Sequence, residues 1–150
     1  MAVDEEVDHG PVLAKAIYKI PDSKYHIEIA EEVFELGAKL LIEILPKYLN
    51  GELKPKEQDH SQATFTKMFT REDSRINWNS PAQEIYNRIR ALNPEPGTWT
   101  TWNNKIINIK KAKLENEKLH IQTIQMEGKK EMPFEEFLRG QPSFDISQLK

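Results

Sequence analysis

The chain has no cysteine and no run of roughly 18 apolar residues, and each absence removes a class of answer. Without thiols there are no disulfides and no thiolate zinc sites, and a reducing compartment is compatible with the composition. The densest apolar patch, Leu40 to Leu45, is far too short to span a bilayer, so no membrane segment is expected. Asp4, Glu5 and Glu6 stand where a signal or transit peptide would carry basic residues, which makes a cytoplasmic location the expected one. His9, His26, His60 and His120 lack metal-ligand spacing, and no metal is expected. A Gly-rich phosphate loop, a Ser-His-Asp order, internal repeats and low-complexity tracts are also missing.

What remains is an ordinary globular composition: 150 residues, 38% apolar and 30% charged. That length suffices for one compact domain or two small ones. The net charge of −3 is unevenly spread, with 9 Lys/Arg against 15 Asp/Glu in residues 1–73 and 12 against 9 in residues 74–150. A basic half on an acidic chain suggests an anionic partner, with nucleic acid the usual candidate; the competing reading is ordinary scatter of charge.

Along the chain, Val12 to Ile20 reads as a strand and Pro21-Asp22-Ser23 as a turn. From about Tyr25 to Leu49 the apolar residues Ile29, Val33, Leu36, Leu40, Ile44 and Tyr48 recur at helical spacing between charged neighbours. Pro46 is expected to kink or end this helix, and Gly37 within it reads as a point of close packing. Glu52 to Asp73 has little periodicity and reads as a linker. A second helix is expected from about Pro81 to Leu92, with Ser80 as N-cap and Ala82, Ile85, Ile89 and Leu92 buried. Three strands follow, Thr98–Trp102, Lys105–Leu114 and Lys118–Met126, joined by the turn-forming Asn103-Asn104 and Glu115-Asn116-Glu117. In the middle strand Ile107 and Ile109 share a parity that Lys111 and Lys113 continue. A short helix at about Pro133–Arg139 should direct Phe134, Phe137 and Leu138 inward.

The most informative stretch is Val3 to Leu13, which places Asp8 two residues before Gly10-Pro11 and just ahead of the expected strand. Asp8-His9-Gly10-Pro11 resembles the Asp-x-Gly-Pro/Asp turn of the folate-dependent formyltransferases. Further segments in the same order are similar to the C-terminal part of methionyl-tRNA formyltransferase. They are Glu35-Leu36-Gly37-Ala38-Lys39-Leu40-Leu41, Arg75-Ile76-Asn77-Trp78, Arg90-Ala91-Leu92-Asn93-Pro94-Glu95-Pro96-Gly97, and Gly128-Lys129-Lys130-Glu131-Met132 followed by Phe137-Leu138-Arg139-Gly140. Each alone is weak; their shared order over essentially all 150 residues carries the resemblance, and the Gly-Lys-Lys-x-Met tail favours the tRNA-directed family over its relatives.

The resemblance implies an α+β fold: the end of an α/β formyltransferase domain (strand and long helix) in residues 1–56, a linker over 57–73, and a reduced OB-like antiparallel sheet with helices in 74–150. It implies formyl transfer from 10-formyltetrahydrofolate, as co-substrate, to the α-amino group of methionyl initiator tRNA. In the family an asparagine, a histidine and an aspartate manage the proton and the tetrahedral intermediate, and Asp8 matches the aspartate. The asparagine, the histidine and the Ser-Leu-Leu-Pro motif have no match in these residues, so the chain alone is expected to be inactive; initiator methionyl-tRNA is the implied partner, and a separate N-terminal half is one candidate for a second. Lys110, Lys111, Lys113, Lys129, Lys130 and Arg139 become candidates for tRNA phosphate contacts, against the plainer reading of a solvated strand face and loop. The family has a longer segment where Glu115-Asn116-Glu117 stands, and Glu95 takes a position often aromatic there. Trp78, Trp99 and Trp102 could stack on bases but read as core, and an Asp8–His9 dyad is not expected. The alternatives are a stand-alone RNA-binding or accessory protein of this descent, or a fragment of a sugar-nucleotide formyltransferase.

Overall fold

A computed structural model of the chain describes residues 1–146 and 149. It divides into two compact units, Met1–Asp22 with Ile27–Lys67, and Ser23–His26 with Met68–Lys150.

The first unit is built around helix α1, His26–Leu49, 24 residues long. Pairs of opposite charge four apart, Glu35–Lys39 at 2.7 Å and Glu43–Lys47 at 3.0 Å, line its exposed side. Pro46 does not end it: the proline falls in the last turn, and Asn50 N–H still reaches the Pro46 carbonyl at 3.0 Å. The helix stops instead at Gly51, whose φ of 76° is easy only for glycine. Gly37 is not a close-packing point, since a Cβ there would meet nothing within 4 Å. The expected strand over Val12–Ile20 forms a single antiparallel bridge, Val12 to Lys56, because no strand among the described residues lies beside the rest of it.

The second unit is a four-stranded antiparallel meander with two helices. Strands β1 (Thr98–Trp102), β2 (Lys105–Glu115), β3 (Lys118–Met126) and β4 (Glu131–Pro133) lie side by side in chain order, one strand more than expected. Asn103-Asn104 and Asn116-Glu117, all with φ between 49° and 61°, make the tight turns whose twist matches that of the strands. Helix α2, Ala82–Leu92, starts on the Pro81 carbonyl, which accepts from Glu84 and Ile85, so Pro81 rather than Ser80 occupies the cap position. Its face of Ile85, Tyr86, Ile89 and Leu92 packs on the sheet. Helix α3, Phe134–Gly140, brings Phe137 into an edge-to-face cluster with Trp102 and Phe144. Leu138, expected inward, is exposed, and partly buried Phe144 packs against the core. The core centres on Ile89, Ile107, Ile109 and Ile124, each no more than 1% exposed.

A bulge interrupts β2. Ile109 pairs with Ile124 and Lys111 with Thr123, which leaves Lys110 unmatched. The extra residue reverses the parity read from the sequence: Ile107, Ile109 and Ala112 are buried, while Lys111 and Lys113 face away. β1 reaches no further along β2 than Ile109. Beyond it the Tyr25 hydroxyl takes over, donating to the Ala112 carbonyl at 2.9 Å and accepting from the Ala112 N–H at 2.8 Å. Nearby, buried Asn93 donates to the carbonyls of Ile89 and Ile109 at 2.9 and 3.0 Å, tying α2 to the sheet.

Candidate functional site

In the first unit Asp8 sits on a turn that the local chemistry defines closely. Its φ of 56° is a left-handed conformation that aspartate tolerates better than most residues. Gly10 is buried, and a Cβ there would lie 2.1 Å from the Ala2 carbonyl oxygen, so only glycine fits. The side-chain amide of Gln58 donates into the turn, reaching the carbonyls of Asp8, His9 and Gly10 at 2.9, 3.3 and 2.8 Å. The Asp8 carboxylate is exposed and makes no hydrogen bond or ion pair among the described residues. It borders a cavity of about 840 Å³ that His9, Lys15, Lys56 and His60 also line.

His9 does not serve Asp8. Its Nδ1 lies 2.7 Å from the Asp4 carboxylate, and its ring stacks on that of His60 at 3.8 Å. The hydrogen bond raises the His9 pKa above the ordinary value and holds the Asp4 carboxyl below its own. No group of three or more metal-ligating side chains occurs among the described residues.

In the second unit the structure separates the basic candidates. Lys110, at the bulge, lies 3.7 Å from Glu131 of β4, and Lys129 and Lys130 are exposed in the β3–β4 turn. Lys111 is exposed, and Lys113 pairs with Glu115 at 2.8 Å, a contact that keeps that carboxyl below its usual pKa. Arg139 belongs to α3, whose residues Glu136, Phe137 and Gly140 line a pocket together with Lys129 of the β3–β4 turn, whereas Lys111 and Lys113 lie on the exposed face of β2. Trp99 and Trp102 are buried, and Trp78 donates its Nε1–H to the Thr100 hydroxyl at 2.9 Å, as core residues do. Sequence reasoning missed Arg71 and Arg75, whose guanidinium carbons lie 5.6 and 5.3 Å from the Trp99 ring centroid. Arg71 also donates to Asn108 on β2 at 3.5 Å, on the strand face that carries Lys110. Arg75 stands in the resembling segment Arg75-Ile76-Asn77-Trp78, but nothing in the sequence pairs it or Arg71 with Trp99.

The chain matches the family model described as formyl transferase, C-terminal domain, over residues 68–120. It is 43% identical over 112 residues to the methionyl-tRNA formyltransferase of Chloroflexus aurantiacus, covering 75% of this chain and 36% of that one. It is 31% identical over 164 residues to the enzyme of the same name from Roseiflexus castenholzii, covering 93% of this chain and 52% of the relative. Since that alignment is longer than the chain itself, the relative carries residues that have no counterpart here. Among solved structures, the methionyl-tRNA formyltransferase from Clostridium thermocellum superposes with a TM-score of 0.61 at 21% identity, over 83% of this chain and 52% of that chain, a likeness of fold. The domain match places residues 68–120 with the C-terminal domain of formyl transferases, and the solved structure shows a like fold. The chain matches the C-terminal portion of the methionyl-tRNA formyltransferase family. It spans between about a third and about half the length of the curated relatives it matches.

Proposed function

We propose that the chain takes part in formyl transfer from 10-formyltetrahydrofolate to the amino group of methionyl initiator tRNA, in the cytoplasm, at the start of translation. On this reading residues 1–56 are the end of the catalytic domain, 57–73 a linker, and 74–150 the tRNA-facing domain. The observation that carries it is Asp8, an unpaired carboxylate on a turn held by Gln58 and Gly10 at the edge of a cavity.

Attack of an amine on a formyl carbon builds negative charge on oxygen and requires the amine to lose a proton. A histidine that removes the proton becomes an imidazolium, and a fixed carboxylate beside it stabilises that charge and orients the ring. Asp8 has the exposure and the free oxygens for this role. The residues present fit the acid part of such a site. They contain no match to the family's asparagine and histidine, and most of the formyl donor's pocket would lie outside them, so these 150 residues alone are expected to show no turnover. Lys110, Lys111, Lys113, Lys129, Lys130 and Arg139 are the proposed phosphate contacts, with Arg71 and Arg75 extending the basic face beside Trp99.

The test joins these 150 residues to the asparagine- and histidine-bearing segment of the family and compares Asp8 with Asp8→Asn. The amide keeps the shape and loses the charge, so single-turnover formylation should fall by roughly 10⁴-fold, the scale seen when a triad aspartate is replaced. The thermal melt should hold, since the carboxylate bonds to nothing it stabilises. A parental rate in Asp8→Asn would return Asp8 to the status of a solvated acid.

A further inference from the structure

Residues 56–60 fall within or beside the stretch that reads as linker, yet they grip the Asp8 turn at three points two residues apart. Lys56 exchanges two backbone hydrogen bonds with Val12, at 2.8 and 2.9 Å. Gln58 sends its amide nitrogen to three carbonyls of the turn, and the His60 ring stacks on His9. The segment bends at Asp59, which caps a short 3-10 helix over His60–Gln62, and Gln58 and His60 both reach the Asp8 turn from either side of that cap.

The central contact is chemically restrictive. The carbonyls of Asp8 and Gly10 both lie within 2.9 Å of the Gln58 nitrogen, and that of His9 within 3.3 Å. Converging carbonyl oxygens need a donor between them, and a primary amide supplies two N–H groups without a charge. Alanine supplies none, and an ionised carboxylate adds a further acceptor.

We propose that Gln58 is a positioning residue for Asp8: it fixes the backbone on which the carboxylate is carried, and so sets where the carboxylate meets the group it serves. The inference rests on the reading of Asp8 given above. A displacement of about 1 Å at a reacting group can cost on the order of 10²-fold in rate, and Gln58 contacts the turn only through its backbone.

The experiment uses the same joined enzyme with four forms: parent, Asp8→Asn, Gln58→Ala and Gln58→Glu. Gln58→Ala should lower kcat by roughly 10²-fold while KM for the formyl donor and for the charged tRNA stays within about twofold. Gln58→Glu should be as slow at neutral pH and should regain rate relative to the parent as pH falls towards about 4.3, where a carboxyl group gains a proton to donate. Unimpaired kcat in Gln58→Ala, with Asp8→Asn inactive, overturns the positioning role and leaves the Asp8 reading intact. A fully active Asp8→Asn overturns both. If Gln58→Ala does not fold, the pH course of Gln58→Glu decides alone: a loss that is flat with pH shows that the donor is not what matters.

Discussion

At the scale of single residues, His9 shows how a neighbour of a candidate acid can be occupied elsewhere. Its hydrogen bond to Asp4 raises its own pKa and lowers that of Asp4, so the pair is formed between a protonated ring and an ionised carboxylate. The raised histidine contributes stability that is fully present below its ordinary value of about 6.5 and is lost as pH rises through the higher folded value. The lowered carboxyl works in the other direction: its contribution is present above its ordinary value of about 3.9 and is lost as pH falls through the lower folded one. The contact is therefore at full strength between about pH 4 and 6.5. A proton NMR titration of the His9 ring should give a midpoint above the ordinary value, and Asp4→Asn should bring it back. A midpoint that Asp4→Asn leaves unmoved would mean that the pair does not form in solution. Asp8 could be picked out from sequence because its motif is local. Gln58 could not, because its partners lie 48 to 50 residues away and glutamine carries no motif of its own.

At the scale of elements, legibility followed the range of the determining interaction. β1 and β3 have the expected bounds, since asparagine turns and alternating apolar residues are read within a few positions. The bulge at Lys110 was invisible, as one extra residue is defined only by its pairing across to β3. Its consequence is a change of face: with the parity reversed, Lys111 and Lys113 leave the face that buries Ile107 and Ile109 and join the exposed one. Lysines there also discourage edge-to-edge pairing of β2 past the end of β1, which is the plainer use of such residues. The two uses separate in a salt series. If the turn residues Lys129 and Lys130 neutralise phosphates, tRNA affinity measured by fluorescence anisotropy should fall with salt. Changing both to Ala should then flatten the logarithmic slope by up to about two contacts. Their exposure leaves the fold out of the comparison. Absence of tRNA binding at low salt would leave the lysines with only their protective role.

At the scale of the whole molecule, the two units differ in what their apolar residues achieve. In the second, the helical and strand periodicities converge on one core, and Ile89, Ile107, Ile109 and Ile124 are essentially without solvent contact. In the first, the pattern along α1 fully buries only Ile44 and leaves Ile29, Leu36 and Leu40 half-buried, while Phe34, Ile42 and Leu49, off that stripe, are 74–79% exposed. Hydrophobic stabilisation scales with apolar area removed from water, so equal patterning gives the two units unequal protection. Local opening free energy should follow, being lowest where few apolar contacts hold an element closed. Native-state amide hydrogen exchange on the chain should therefore place α2 and the paired stretches of β1, β2 and β3 in the slowest class. The amides of α1 should exchange faster by several orders of magnitude, in spite of their regular hydrogen bonding. Ile124→Ala, which opens a cavity in the buried core at a cost of about 2–5 kcal/mol, should accelerate exchange throughout the second unit's sheet and leave α1 where it was. If α1 and the sheet instead exchange at one common rate, and the core substitution moves both, then the molecule unfolds as a single cooperative body and α1 draws its protection from packing that its exposed face does not display.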